Sequence, residues 1–312
     1  MIFWEFLFNL IVIGQLAVLP TAWVNTIDYN SDTNKISYLS EVSDNVFLPQ
    51  KINNDSLGVN ITAKSAIAVD RQTGAVLWQK NEDKQQSIAS LTKLMTVLVW
   101  LDFGPGWDAE ITIKESDYRE GGRFYLFNGE KVLTGDILKS VLIASDNTAA
   151  IALAGSTGFE LSEFVNKMNE KAIELGMDNT KFVEPTGLDA GNISTVKDLV
   201  ILANTVFANK DIYSIVGTDK TSYQILNNGR SNEVISTNSL LGTYLNIIAG
   251  KTGYSDEAGG CLLTVARGEQ GQEILTIILG SGDRYMRFQE DKALIQWSLD
   301  NFIWPDLNIN TY

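Results

Sequence analysis

The sequence predicts an α+β domain in which strands from both ends of the chain share one antiparallel sheet and helices cover it. Two short β-type runs lie between residues 66 and 79, and three more lie between residues 244 and 280. Helical patterns dominate the region between them. Strands of one domain that are far apart in sequence meet in a common sheet, so the helical middle region is expected to pack on that sheet.

The first two runs, residues 66–70 and 75–79, are predicted to form a hairpin because Gly74 lies in the turn between them. The three late runs, "YLNIIAG", "GCLLTVA" and "EILTIILG", have short connections and predict an antiparallel meander. A final helix is expected over "YMRFQEDKALIQWSLDNF".

Two middle segments show the periodicity of amphipathic helices. In "TGDILKSVLIA", Thr134 is the predicted N-cap, and "LSEFVNKMNEKAIELGM" is expected to end at Gly176. The residues expected to face the core are Ile137, Leu138, Val141, Leu142, Phe164, Met168, Ala172 and Leu175.

The N-terminal segment, residues 1–24, is apolar apart from Glu5 and a few uncharged polar residues, and it is long enough to cross a bilayer. We interpret it as a signal peptide or a membrane anchor, with a buried helix as the alternative. It lacks Lys and Arg at its start and has no clean cleavage site, which leaves cleavage open. Export predicts an extracytoplasmic protein, secreted or held on the outer face of the cytoplasmic membrane.

The remaining chain divides by composition. Residues 25–60 are rich in Asn, Asp and Ser without sustained periodicity and predict a linker. The folded domain is assigned to residues 61–305, and residues 306–312 are assigned to a tail.

Composition excludes several functions. The net charge is -14 and no run of Lys or Arg occurs, so a nucleic-acid partner is not expected. The chain has no histidine and one cysteine, which removes the Ser-His-Asp triad, the Cys-His pair and Cys/His zinc sites. Cys261 lies in an apolar run and is predicted to be a buried thiol.

A nucleophile without histidine is suggested by "SIASLTKLMT", where Ser90 and Lys93 stand three positions apart at the start of an apolar run. Lys93 must be neutral to act as a base, which needs its pKa to fall by about 3 units. Burial and a second cation would both lower that pKa, and Lys251 is the expected cation.

Short motifs recur in this chain, so order and context matter. A second SxxK begins at Ser194, which is interpreted as a helix cap, and a second Ser-Asp-Asn occupies residues 43–45. The informative set is SxxK at Ser90, Ser-Asp-Asn at Ser145 in a predicted helix connection, and Lys-Thr-Gly at Lys251 at the end of a β-type run. This ordered trio is typical of penicillin-interacting serine enzymes.

With these motifs, residues 65–302 resemble the serine-type D-Ala-D-Ala carboxypeptidases, which are low-molecular-mass penicillin-binding proteins. The similarity extends to "AVDRQTGAVLWQKNED", "IASLTKLMT", "FVEPTGLD", "LLGTYLNIIAGKTGYSDEAGGCLLTVA" and "GSGDRYMRFQED". One departure is the middle motif, which is Ser-Asp-Asn where these enzymes often carry Ser-Gly-Asn. The resemblance implies the β-lactamase/transpeptidase-like fold.

The resemblance also implies catalytic roles. Ser90 would be the nucleophile and Lys93 its base. Ser145 would relay a proton to the leaving amine, and Asn147 would hold both Lys93 and the substrate amide.

The third motif would bind the substrate. Lys251 and Thr252 would face its terminal carboxylate, and Gly253 would leave room for it beside the strand. The backbone N–H groups of Ser90 and Tyr254 would form the oxyanion hole.

The function implied is removal of the terminal D-Ala from peptidoglycan stem peptides through an acyl-enzyme on Ser90, with no metal and no cofactor. β-Lactam antibiotics are expected to acylate the same serine. A class A β-lactamase is an alternative, but "EPTGL" at Glu184 lacks the Leu-Asn of its ExxLN pattern, so Glu184 is interpreted as a loop support. A cross-link endopeptidase and a non-catalytic sensor domain that binds wall peptides also remain open.

Overall fold

The computed structural model describes residues 48–122 and 125–305, together with the backbone of two strands within residues 26–39. The signal peptide or anchor predicted for residues 1–24 and the tail predicted for residues 306–312 lie outside the described residues. Within the described part of the chain, no single helix is long and apolar enough to cross a membrane; one pair of helices, Val196–Phe207 with Lys210–Val216, meets that criterion only jointly, across a bend of 112°.

The regular elements follow one another with short connections. The strands are β1 (Thr26–Asn30), β2 (Lys35–Leu39), β3 (Gln50–Lys51), β4 (Ser65–Asp70), β5 (Val76–Lys80), β6 (Gln86–Ser87), β7 (Glu110–Thr112), β8 (Lys131–Leu133), β9 (Ile193–Ser194), β10 (Lys220–Gln224), β11 (Ser231–Ile235), β12 (Ile247–Ser255), β13 (Gly259–Arg267), β14 (Glu273–Ser281) and β15 (Phe302–Ile303). The helices are α1 (Thr92–Phe103), α2 (Thr134–Leu142), α3 (Asn147–Gly155), α4 (Leu161–Glu174), α5 (Val196–Phe207), α6 (Lys210–Val216) and α7 (Met286–Asn301).

The central sheet has five antiparallel strands in the order β12-β13-β14-β4-β5. The early hairpin and the late meander join where β14 pairs with β4, with Ile277 opposite Ile67. The prediction that strands from both ends of the chain share a sheet is therefore confirmed.

Both faces of this sheet are covered, which explains why its strands read as continuous apolar runs. Ile67 and Val69 of β4 pack into the larger core with helices α1 and α5, while Ala66 and Ala68, which alternate with them, face the other side. On that side they pack in a smaller core with Leu294 of α7. Successive side chains of a strand point to opposite faces, so one strand supplies both cores.

Helix α1 is the centre of the larger core. Its residues from Thr92 to Trp100 are all buried, including Lys93, so this helix has no solvent-facing side over its first nine residues. A helix that is surrounded in this way carries apolar residues on every face. The side chain at Lys93 is thereby forced into the protein interior.

The predicted core positions of α2 and α4 are buried, apart from Leu175, which is half-buried against the same core. Gly176 ends α4 with a φ of 74°, a left-handed conformation that glycine adopts without a steric cost. The predicted N-cap was wrong: Leu133 occupies that position, and Thr134 is the first helical residue, with its hydroxyl donating to the carbonyl of Gly106.

The interpretation of Ser194 as a helix cap was also wrong. Thr195, not Ser194, caps α5, because its side chain accepts from the N–H of Asp198 at 3.0 Å. Ser194 instead belongs to β9.

The predicted linker, residues 25–60, is partly structured. β1 pairs with β2, and β3 pairs with β15 at the end of the chain. The indole N–H of Trp297 also donates to Ser56 at 2.7 Å. The folded body therefore begins before residue 61, and a two-residue strand was too short to show a periodic pattern.

Candidate active site

Ser90 lies in a 3₁₀ turn, Ala89–Leu91, that leads directly into α1. Ala89 has a φ of 45°, a conformation that is unfavourable for alanine. The Thr92 hydroxyl donates to the Ala89 carbonyl at 2.8 Å and supports the turn. This local geometry presents the half-buried Ser90 at the start of a buried helix.

Lys93 meets three oxygen atoms at the bottom of the site. Its Nζ lies 3.0 Å from Ser90 Oγ, 2.7 Å from Asn147 Oδ1 and 2.6 Å from the carbonyl oxygen of Thr186. The side chain is fully buried. The predicted pair of Ser90 and Lys93 is thus brought together, and Asn147 contacts the lysine as expected.

Burial lowers the pKa of Lys93 to about 7, while the charges of Glu184 and Asp146 oppose this shift. The pKa of Lys251 is lowered well below its usual range, mainly by burial and then by the charges of Lys93 and Arg287. The expected repulsion between the two lysines contributes to the lowered pKa of Lys251, and burial is the main cause of the lowered pKa of Lys93.

The middle motif connects α2 to α3. Ser145 has a φ of 61°, and its Oγ accepts a hydrogen bond from Lys251 Nζ at 2.6 Å. Asp146 caps α3 by accepting from the N–H of Ala149 at 3.0 Å, which makes Asn147 the first helical residue. The Asn147 amide nitrogen donates to the Gly121 carbonyl at 2.8 Å, so its oxygen faces Lys93.

The third motif lies within β12 and not at the end of a strand as the sequence suggested. Lys251 and Thr252 are buried, and the hydroxyl of Thr252 lies 2.5 Å from that of Thr237. The side chain of Tyr254 is 41% exposed, and its hydroxyl donates to Asp256 at 3.1 Å. β12 forms one edge of the central sheet.

Gly253, which was predicted to leave room for the substrate, lies against the turn that carries Ser90. A Cβ at this position would lie 3.0 Å from the backbone N of Ser90, 3.1 Å from Ala89 Cβ and 3.1 Å from the Ile88 carbonyl oxygen. The glycine therefore lets β12 approach the turn that carries Ser90. This approach brings the backbone N–H of Ser90 beside β12, the strand that contains Tyr254.

Two residues that contact the site, Arg287 and Thr186, were not predicted from the sequence. Arg287 of α7 is buried and donates from Nη1 to the carbonyl of Gly253. Thr186 contributes only a backbone carbonyl, which cannot be predicted from residue type. Arg287 stood in a stretch noted for its similarity, "GSGDRYMRFQED", and that similarity was the available signal.

Glu184 supports a loop, as the sequence analysis expected. Its carboxylate accepts from the backbone N–H of Thr186 at 2.7 Å and of Gly187 at 2.5 Å, and from the side-chain amide of Asn192 at 2.5 Å. These bonds occupy both carboxylate oxygens within the loop.

Cys261 lies opposite Gly253 on β13 and is buried, as predicted. Burial raises the pKa of its thiol to about 11, which keeps the thiol protonated at neutral pH. Among the described residues, no group of three or more His, Cys, Asp or Glu side chains is arranged to hold a metal ion.

A sequence model of the D-alanyl-D-alanine carboxypeptidase family matches residues 50–282. The chain belongs to the D-alanyl-D-alanine carboxypeptidase family. The match begins at β3, which agrees with the inclusion of residues before 61 in the folded body.

Proteins similar to this chain carry three different activity names. The chain is 33% identical over 238 residues to the D-alanyl-D-alanine carboxypeptidase DacF of Bacillus subtilis, covering 74% of this chain but only 61% of that protein. It is 33% identical over 248 residues to the D-alanyl-D-alanine endopeptidase of Pseudomonas aeruginosa, covering 76% of this chain and 77% of that protein. The crystal structure of the Streptomyces K15 DD-transpeptidase superimposes with a TM-score of 0.74 at 27% identity, covering 78% of this chain and 100% of that one.

Proposed function

We propose that this protein is a serine-type D-Ala-D-Ala carboxypeptidase that removes the terminal D-Ala from peptidoglycan stem peptides. The observation that carries the proposal is the 3.0 Å contact between the fully buried Lys93 Nζ and the Oγ of the half-buried Ser90. A nucleophile within hydrogen-bond reach of a base whose pKa is near neutral meets both requirements of acyl transfer.

The lysine is oriented by its other two contacts. A neutral amine has two N–H bonds and one lone pair, and the carbonyl oxygens of Asn147 and Thr186 can only accept hydrogen bonds. With both N–H bonds directed at these oxygens, the lone pair of Lys93 faces the hydroxyl of Ser90. The base is thereby set to remove the Ser90 proton.

Acylation then proceeds in two stages. Ser90 Oγ bonds to the carbonyl carbon of the penultimate D-Ala while its proton passes to Lys93, and the backbone N–H groups of Ser90 and Tyr254 stabilise the oxyanion. The C–N bond then breaks. The departing D-Ala amine takes the proton of the Ser145 hydroxyl, Ser145 receives in exchange the proton that Lys93 removed from Ser90, and Lys93 is neutral again. Water hydrolyses the resulting ester and restores the Ser90 hydroxyl.

The other end of the substrate is held by β12. The terminal carboxylate of the peptide would dock against the ammonium of Lys251 and the hydroxyl of Thr252. A bound anion favours the charged form of a lysine, so substrate binding would raise the pKa of Lys251 back towards its usual range. The open edge of β12 would let an extended peptide lie alongside it.

The same site would accept β-lactam antibiotics as covalent inhibitors at Ser90. We also propose that the protein acts outside the cytoplasmic membrane, secreted or anchored there through residues 1–24, because those residues form an apolar segment of membrane-spanning length.

Endopeptidase activity on peptide cross-links is the second candidate, because relatives named D-alanyl-D-alanine endopeptidases are as similar as the carboxypeptidases. A class A-like β-lactamase is less favoured, because Glu184 has both carboxylate oxygens engaged in its own loop. A sensor domain would need no proton relay, yet Ser145 and Lys251 are in contact.

The test is release of D-Ala from a peptide that ends in D-Ala-D-Ala, measured on protein that retains residues 48–305, with Ser90→Ala in parallel. Release by the wild type alone is expected. Equal release by both proteins would contradict the proposal. Release only from cross-linked dimeric peptides would support the endopeptidase instead, and rapid hydrolysis of a penicillin without a lasting adduct would support the β-lactamase.

A further inference from the structure

We propose that Glu184 is a positioning residue for the base: its carboxylate folds residues 184–192 into a loop that holds the Thr186 carbonyl against Lys93. The inference rests on the proposed function, in which Lys93 removes the proton of Ser90. It adds to the site a carboxylate that none of the three sequence motifs includes.

The carboxylate of Glu184 is surrounded by hydrogen-bond donors from its own loop. Oε2 accepts from the backbone N–H of Thr186 at 2.7 Å and from its hydroxyl at 2.6 Å. Oε1 accepts from the N–H of Gly187 at 2.5 Å and from Nδ2 of Asn192 at 2.5 Å. Both oxygens thus fix the peptide on either side of the Thr186 carbonyl, and that carbonyl is left to face Lys93 at 2.6 Å.

The loop is also fastened to the helix that carries Lys93. The hydroxyl of Thr96, one helical turn after the lysine, donates to the carbonyl of Pro185 at 2.6 Å. Asn192 is fully buried, and its Oδ1 accepts from the N–H of Val183 at 2.8 Å. The loop therefore has fixed contacts at its start, its middle and its end.

Gly187 brings the loop against the nucleophile turn. Its φ is 87°, and a Cβ there would lie 2.0 Å from the carbonyl oxygen of Ala89 and 2.8 Å from the backbone N of Ser90. This contact sets the distance between the loop and Ser90. The Thr186 carbonyl can therefore locate Lys93 relative to Ser90 with little freedom.

Loss of this carbonyl would remove one of the two acceptors that direct the amine. Lys93 could then turn an N–H bond towards Ser90 Oγ, where a lone pair is needed. The carboxylate has a second effect, since its charge raises the pKa of Lys93, as does the charge of Asp146.

The informative variant is Glu184→Gln. Every hydrogen-bond partner of the Glu184 carboxylate is a donor. The amide of the glutamine would place its NH2 group against some of these donors and lose the hydrogen bonds that one carboxylate oxygen accepts. The loop carbonyl shifts and the negative charge disappears. Glu163→Gln is the matched control, because Glu163 is exposed on α4 and undergoes the same chemical change.

The measurement is the rate constant for acylation of Ser90 by a fluorescent penicillin as a function of pH, with thermal unfolding followed in parallel. We expect Glu184→Gln to lower the high-pH plateau by about 10- to 100-fold, as for a small displacement of a catalytic group. The acid limb of the profile is expected to move to lower pH, because removal of a carboxylate charge lowers the pKa of Lys93. The Glu163→Gln profile is expected to match the wild type.

An unchanged plateau with an unmoved acid limb would overturn the inference, and so would a loss of rate that only follows the loss of folded protein. If Glu184→Gln does not fold, Thr186→Ala is the second variant, because it removes the hydroxyl donor to the carboxylate and keeps the backbone carbonyl. This variant is expected to lower the high-pH plateau to a smaller extent. Wild-type acylation kinetics for Thr186→Ala would overturn the inference.

A titration of Lys93 by ¹³Cε NMR separates this inference from the proposed function. If the wild type is not acylated, the proposed function fails, but the titration still reports on the base. A pKa of Lys93 that is lower in Glu184→Gln than in the wild type supports the placement of Glu184, and equal values would overturn it.

Discussion

Ser145 and Lys251 meet at 2.6 Å although they are 106 residues apart in sequence. The lysine donates to the serine Oγ, so the Ser145 hydroxyl keeps its own proton free to point elsewhere. In the proposed mechanism that proton goes to the departing amine and is replaced by the proton that Lys93 removed from Ser90. The contact thus joins the substrate-binding strand β12 to the relay that completes acylation.

Ser145→Ala is expected to reduce D-Ala release by about 100- to 10,000-fold, the range for loss of a general acid. The reduction should appear in kcat more than in KM, because Lys251 and Thr252 still hold the carboxylate. Steady-state kinetics on a D-Ala-D-Ala peptide measure this split. Ser162→Ala, on the exposed side of α4, is the control; a Ser145→Ala enzyme with wild-type kcat would remove the relay role.

The rate of Ser90 acylation is expected to rise with pH and to reach half its maximum near pH 7. The reason is that Lys93 must be neutral to act, and burial lowers its pKa to about 7. A fluorescent penicillin measures the profile. Lys93→Arg keeps a positive charge that does not dissociate in this range, so it should show no rise; a flat wild-type profile through neutrality would exclude Lys93 as the base.

Gly253→Ala is expected to reduce acylation with little change in the midpoint of thermal unfolding. The added Cβ meets the backbone N of Ser90 at 3.0 Å, so the strand and the nucleophile turn must separate by a few tenths of an ångström. We expect a loss of about 10- to 100-fold in the acylation rate. Gly155→Ala, where a Cβ meets nothing within 4 Å, should leave the rate unchanged; an active Gly253→Ala would show that this approach is not needed.

The free energy of unfolding is expected to fall as pH rises towards 7, in part through Asp291. Burial raises the pKa of this carboxyl on α7 to about 7, against the neighbouring hydroxyls of Thr276 and Thr264. A folded-state pKa above the unfolded value gives stability that is complete below about pH 4 and is lost as pH rises through about 7.

Asp291→Asn should therefore remove this pH dependence and stabilise the protein at pH 8 by up to about 4 kcal/mol. Urea unfolding at several pH values measures the effect. Asp300→Asn, on the exposed part of the same helix, is the control. Equal pH dependence in Asp291→Asn and the wild type would contradict the assignment.

A chain that starts at residue 61 is expected to be less stable than one that starts at residue 48. The shorter form loses the β3–β15 pairing and the bonds from Trp297 to Ser56 and from Asn54 to Asn301. Each hydrogen bond is worth about 1 kcal/mol, so the loss should amount to several kcal/mol in urea unfolding. Equal free energies of unfolding for the two forms would show that residues 48–60 act as a linker and do not stabilise the domain.

The sequence predicted the sheet and the meeting of the three motifs because both depend on residue type. Continuous apolar runs and helical periodicity indicate which residues are buried, and Ser90, Lys93 and Asn147 carry their chemistry in their side chains. The fold and the contacts of the predicted catalytic side chains were therefore accessible before the structure.

The remaining features depend on the backbone or on tertiary contacts, which leave no local pattern. The Thr186 carbonyl would look the same with any residue at that position. A Cβ at Gly253 would meet a turn that lies 163 residues earlier in the chain. The hydrogen bond from Arg287 to the Gly253 carbonyl depends on how α7 packs on the sheet.

Two residues with left-handed backbone, Ala89 and Ser145, adjoin or belong to the proposed catalytic groups, and neither is a residue type that favours this conformation. Glycine would relieve the steric cost at both positions. A screen of random variants for heat resistance should therefore enrich Ala89→Gly. Ser145→Gly should emerge from the same screen as a heat-resistant but inactive protein. The balance between heat resistance and activity in this enzyme would then depend on two strained backbone torsions, those of Ala89 and Ser145.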